Sequence, residues 1–120
     1  MGRQKFIDEL KAMGYQPLPQ NGNMVAFRYR VPVGKHLGKV VSLAFAINDD
    51  FPMNPPGGPH VSPGLLPFNS NGGSHPTCGV HKSPLGEGWQ YWSRPFQNWA
   101  ETKRRGRDYM AHIRHLFDTL

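Results

Sequence analysis

The chain has 120 residues, enough for one domain (1–120) with one modest core, and 38% of them are hydrophobic. No apolar run reaches spanning length and no charged-then-apolar leader is present. One cysteine excludes an internal disulfide, so a soluble, cytoplasmic protein is expected. The net charge of +6 suits docking to an acidic protein, whereas the aromatics do not interleave with a basic stripe as a nucleic-acid platform would require.

Phe6, Ile7, Leu10 and Met13 recur at helical spacing, which predicts an amphipathic helix over 3–13 with Gly14 as its stop. Residues 24–31 alternate, with Val25, Phe27, Tyr29 and Val31 on one face and Ala26, Arg28 and Arg30 on the other. Residues 39–47 alternate again. Val41, Leu43, Phe45 and Ile47 share a face, while the opposite face is small enough for a helix or a partner to approach closely. Pro32–Gly38 between them suits a hairpin loop.

From Asp49 to Pro95 regular structure is sparse, and nine of the twelve prolines fall in this stretch. Its aromatics and leucines carry too much apolar surface to leave in water, so an ordered, irregular functional surface is expected, with one short strand near His60–Val61. A helix is expected over 98–118, with capping-box spacing at Asn98 and Glu101 and an apolar stripe of Tyr109, Met110, Ile113, Leu116 and Phe117. Gly106 lies on that stripe, which predicts close backbone packing. Lys103, Arg104, Arg105 and Arg107 read as a solvated face.

The chemistry centres on Cys78, with His75 and His81 three residues away on either side in a turn-rich stretch. A thiol so placed can attack a carbonyl or hold a metal. His75-x-x-Cys78-x-x-His81 has ligand-like spacing, with His60 as a fourth donor, but structural zinc sites favour more thiolates than this chain owns. A cysteine–histidine hydrolase using His60, His75 or His81 as base is a further alternative.

The order of elements carries more information than any one of them. Phe51-Pro52-Met53-Asn54-Pro55-Pro56 follows the second strand, an irregular segment bears the cysteine, and Tyr91-Trp92-Ser93-Arg94-Pro95, Trp99 and a helix come after it. This resembles the ubiquitin-conjugating (E2) superfamily over roughly residues 3–118. It is most similar to the compact bacterial E2-like proteins associated with E1-like, JAB-peptidase and ubiquitin-like partners. The resemblance implies an α+β, UBC-like fold with an N-terminal helix, an antiparallel meander sheet, an irregular Cys-bearing segment and a C-terminal crossover helix. It implies a transferase that accepts a ubiquitin-like protein from an E1-like enzyme as a Cys78 thioester and passes it to an amine. Eukaryotic relatives carry His-Pro-Asn some residues before the cysteine. Here Asn69 and Asn71 are both candidates for that oxyanion donor, and His75, His81 and Lys82 would favour the thiolate if they converge on it. The N-terminal helix, with Arg3, Lys5 and Lys11, would face the E1. No cofactor or metal is implied. A non-catalytic E2-variant binding module is the alternative within the same fold.

Overall fold

The computed structural model describes residues 2–18, 23–68, 79–93 and 96–119. They form a small α+β domain. Helix α1 (Gly2–Ala12) leads into strands β1 (Pro17–Leu18), β2 (Met24–Arg30), β3 (Val40–Ala46), β4 (His60–Ser62), β5 (Val80–Lys82) and β6 (Gln90–Trp92). A 3-10 turn (Trp99–Glu101) and helix α2 (Gly106–Asp118) complete it. The six strands pair antiparallel throughout in the order β1-β2-β3-β4-β6-β5. The first four follow one another as the expected meander. The last two are a hairpin laid in reverse, so β6 and not β5 pairs with β4.

The register decides which residues form the core. Phe27 lies opposite Leu43, Leu43 opposite Val61, and Val61 opposite Gln90, so these four share one face. Val25, Tyr29, Val41, Phe45 and Trp92 join that face and are all buried. Both helices cover it. Phe6 of α1 meets Phe45, Phe51 and Tyr109 edge-on, and Phe117 of α2 lies against Tyr29 and Trp92. Each such side chain contributes about 1.5–3 kcal/mol by leaving water.

The N-terminal stripe buries Phe6, Ile7 and Leu10, but Met13 falls beyond the helix and is exposed. Gly14 ends it with φ +92°, and the Tyr15 N–H returns to the Leu10 carbonyl. The small face of β3 is met by the chain itself. The Gly57 N–H donates to the Ala46 carbonyl at 2.9 Å, and Ala26 and Ala44 are buried.

The expected helix over 98–118 is divided. Asn98 makes no side-chain cap, and the chain leaves the 3-10 turn in extended form at Thr102, with the Thr102 hydroxyl accepting the Arg104 N–H. Arg104 then takes φ +56°, and α2 begins at Gly106. The cap comes from two carboxylates. Asp108 accepts the Arg105 N–H at 3.0 Å, and Glu9, from α1, accepts the Gly106 N–H at 2.7 Å. Gly106 therefore sits at a helix start, where glycine costs little, and its close packing is against α1. A Cβ there would lie 3.0 Å from the Glu9 Cβ. Within the basic run, Lys103, Arg105 and Arg107 are exposed as expected, Arg105 also pairing with Glu9 at 3.2 Å, while Arg104 is partly buried.

Glu9 thus joins the two helices through a charged acceptor at a helix N-terminus, a favourable arrangement. Arg105 is largely exposed and adds little. Glu9→Ala should lower unfolding free energy by about 1–2 kcal/mol. Glu9→Gln, which retains an acceptor oxygen, should cost less. Urea midpoints at constant slope measure both; equal midpoints for wild type and Glu9→Ala would mean that water caps Gly106 equally well.

Candidate functional site

Cys78, Asn69, Asn71 and His75 lie outside the described residues. What the structure describes is the frame on either side of them, built largely on β4, β5 and β6. His81 sits in β5 opposite Tyr91, and Tyr91 sits opposite His60. The three rings form a row on the sheet face turned away from the helices. His60 and Tyr91 have centroids 4.7 Å apart, and Tyr91 and His81 6.3 Å. Because strand side chains alternate, Lys82 leaves on the opposite face from His81. Whether either approaches the thiol falls outside the described residues.

His60 is 8% exposed and its Nδ1 lies 2.7 Å from the Ser83 Oγ, which also accepts the Leu85 N–H. Burial holds its pKa below the ordinary value, so the ring is neutral at neutral pH. The Tyr91 ring stands between His60 and His81, so those two imidazoles cannot share one ion without displacing it. Among the described residues no group of three His, Cys, Asp or Glu side chains is placed to hold a metal.

Gln90 escaped sequence reading. It occupies the core face of β6, is 6% exposed, and bonds to neighbouring groups through both the oxygen and the nitrogen of its amide. Its Oε1 is shared by the N–H groups of Leu65, Leu66 and Trp92 (Nε1) at 3.2–3.3 Å, and its Nε2 donates to the Leu66 carbonyl. Gly64 is where the chain passes this amide, since a Cβ there would lie 2.7 Å from the Gln90 Cδ. The only trace in the sequence is a glutamine beside two aromatics in a short strand. On the far side of the cysteine, the Ser93 N–H donates to the Gly79 carbonyl at 2.9 Å and Val80 pairs with Trp92. Both flanks of residues 69–78 are therefore tied to β6 and the residue after it.

The turn after β3 is tied to the C-terminal elements. The Trp99 Nε1 donates to the Pro52 carbonyl at 2.8 Å, and the Tyr109 hydroxyl donates to the Gly57 carbonyl. Burial pushes the Tyr109 hydroxyl far above its ordinary pKa, which keeps it a donor. Beside the frame, Phe68 (56% exposed), Lys82, Ser83, Glu87 and Trp89 line a groove of about 300 Å³. Of the three basic residues expected to face a partner, Arg3 is engaged, its Nε donating to the Met24 carbonyl at 3.1 Å. Lys5 and Lys11 are exposed. No helix among the described residues is long and apolar enough to cross a membrane.

No protein-family profile, curated protein or solved structure matches this chain.

Two buried imidazoles make stability pH-dependent. His60, through burial, and His36, through burial and then Lys39 and Lys35, both have pKa values below the ordinary 6.5. The unfolded chain therefore binds more protons than the folded one as pH falls below that value, and stability declines with it. The urea midpoint should be lower at pH 5 than at pH 7.5, and His60→Asn should flatten the slope. An unchanged slope in that variant would assign the effect to His36 and other groups.

Proposed function

We propose that this chain is an E2-like carrier with a UBC-like fold, taking a ubiquitin-like protein from an E1-like enzyme as a Cys78 thioester and delivering it to an amine. The observation that carries the reading is the joining of the Phe51–Pro56 turn to Trp99 and of Gly57 to Tyr109. The motif residues that precede and follow the cysteine in sequence are thereby held together in space. The order of elements also supports it: a first helix, an antiparallel meander, a cysteine-bearing stretch between β4 and β5, and a final helix across the same sheet face.

In this reading the Cys78 thiolate attacks the carbonyl carbon of the modifier's C-terminal glycine, and the E1 thiolate leaves. An acceptor amine then attacks the new thioester, loses its proton, and expels the Cys78 thiolate. A thiol needs no strong base for such an exchange, because lowering its pKa too far also lowers its nucleophilicity. The oxyanion formed as the amine attacks the thioester requires a donor, and the amide of Asn69 or Asn71 is of the right kind. His75 and His81 would favour the thiolate electrostatically. The partners are the E1-like enzyme, the ubiquitin-like protein, and a JAB-type deconjugating peptidase in the same system.

With E1, ATP and modifier, wild type should form an adduct that reductant removes. Cys78→Ser should give a reductant-resistant oxyester or none, and Cys78→Ala none. An adduct on Cys78→Ala would place the nucleophile elsewhere. A folded wild type that never loads would leave the binding-module reading.

Alanine at the true donor, Asn69 or Asn71, should leave loading largely intact and slow discharge onto lysine by about 2.7–4 kcal/mol. Single-turnover discharge of preloaded protein measures this; unchanged rates in both variants would remove the asparagine from the mechanism.

A further inference from the structure

We propose that the loop joining β2 to β3, with the strand ends beside it, docks the protein on an anionic lipid surface. The inference is independent of the carrier reading. No Asp or Glu occurs between Glu9 and Asp49, while Arg28, Arg30, Lys35 and Lys39 all fall within that stretch. These four are exposed, and none is ion-paired among the described residues. Arg28 and Arg30 stand on the sheet face turned away from the helices, and Arg30 lies directly opposite Val40. Burial lowers the His36 pKa and Lys39 and Lys35 lower it further, which places both lysines beside that ring. Helix α2, packed near the loop, adds one exposed acid, Asp118, and one exposed cation, Arg114, so the balance is unchanged.

Two large apolar side chains are exposed among these cations, Leu37 at 66% and Val40 at 48%. The loop backbone holds Leu37 out. The Val31 N–H donates to the Lys39 carbonyl and the Gly38 N–H to the Val31 carbonyl, each at 2.8 Å, and the Leu37 N–H donates to the Gly34 carbonyl at 3.2 Å. Gly34, at φ +80°, sits so close to α2 that a Cβ there would run into the Phe117 carbonyl. The loop is thus fixed against the domain with His36 buried and Leu37 left in water. An anionic bilayer supplies what both sets of side chains lack: headgroup charge for the cations, and the acyl boundary for Leu37 and Val40. It takes a lone apolar side chain without a matching pocket, which a folded acidic protein would have to provide. Nucleic acid would satisfy the charges and leave Leu37 and Val40 in water. Among the described residues no exposed aromatic ring stands beside these cations to stack on a base.

Co-sedimentation with vesicles is the test. Wild type should pellet with vesicles of phosphatidylcholine mixed with phosphatidylserine, stay in solution with phosphatidylcholine alone, and be released by salt. Arg30→Gln combined with Lys39→Gln should weaken partitioning on the order of 30-fold, since each lysine or arginine near an anionic surface contributes about fivefold. Leu37→Ser should weaken it several-fold and preserve the salt response. Lys103→Gln combined with Arg107→Gln removes the same net charge at the start of α2 and should bind nearly as wild type does. Every replaced side chain is exposed, so folding is not at risk, and the comparison of the two lipids needs no variant. Equal pelleting with both lipids, or none with either, overturns the proposal. So does Leu37→Ser binding equal to wild type, or an equal loss in the two double variants, since either would reduce the attraction to net charge. Binding of an oligoglutamate peptide or a short DNA duplex by a wild type that ignores anionic vesicles would assign the patch to protein or nucleic acid instead.

Discussion

Tyr109 has to bury a phenol ring in the centre of an aromatic core and still find a partner for its hydroxyl. Its ring meets Phe6 and Phe45, and its hydroxyl donates to the Gly57 carbonyl. An unpaired hydroxyl at that depth would cost much of what the ring's burial contributes. The chain after β3 must therefore pass close above α2, and residues 51–57 are drawn to the helix. Trp99 repeats the arrangement one step earlier, with its ring against Phe51 and its N–H on the Pro52 carbonyl. A long stretch with little regular structure becomes part of the domain because two aromatic side chains need acceptors that only its backbone can supply.

The same logic operates at the other end of the sheet. Gln90 is a polar side chain on a core face, where it is tolerated because its amide oxygen and nitrogen both have partners. The result is a backbone segment, 64–66, held without strand pairing. His60 is treated alike: a buried imidazole, kept neutral, with Ser83 against its Nδ1. Each of these groups exchanges bulk water for a specific backbone or hydroxyl partner, and each time that partner lies in a segment flanking Cys78 in sequence.

The helices divide the remaining work. α1 closes the core with Phe6 and Leu10 and reaches across to α2 with Glu9, which accepts the first helical N–H of α2. Gly106 permits that approach because it has no side chain to hold the helices apart. A partner binding α1 would meet a surface on which Glu9 already serves α2, leaving Lys5, Asp8 and Lys11 exposed beside it.

Sequence alone determined the elements whose signal is periodic. The first helix, both long strands and the final apolar stripe were legible because burial on one face imposes a repeat of 3.6 or 2 on the residues. The cysteine's setting and the order of motifs around it were legible for the same one-dimensional reason. The tertiary structure decided what no repeat encodes. Reversal of β5 and β6 depends on which strand β4 meets, and three-residue strands carry too few residues to show alternation. The break before α2 follows from Glu9, 97 residues from the N–H it caps, which made Asn98 look like a helix start. Gln90 was invisible because a buried amide is defined by its partners, Leu65 and Leu66, which lie some 25 positions away in the chain and 3.2–3.3 Å away in space.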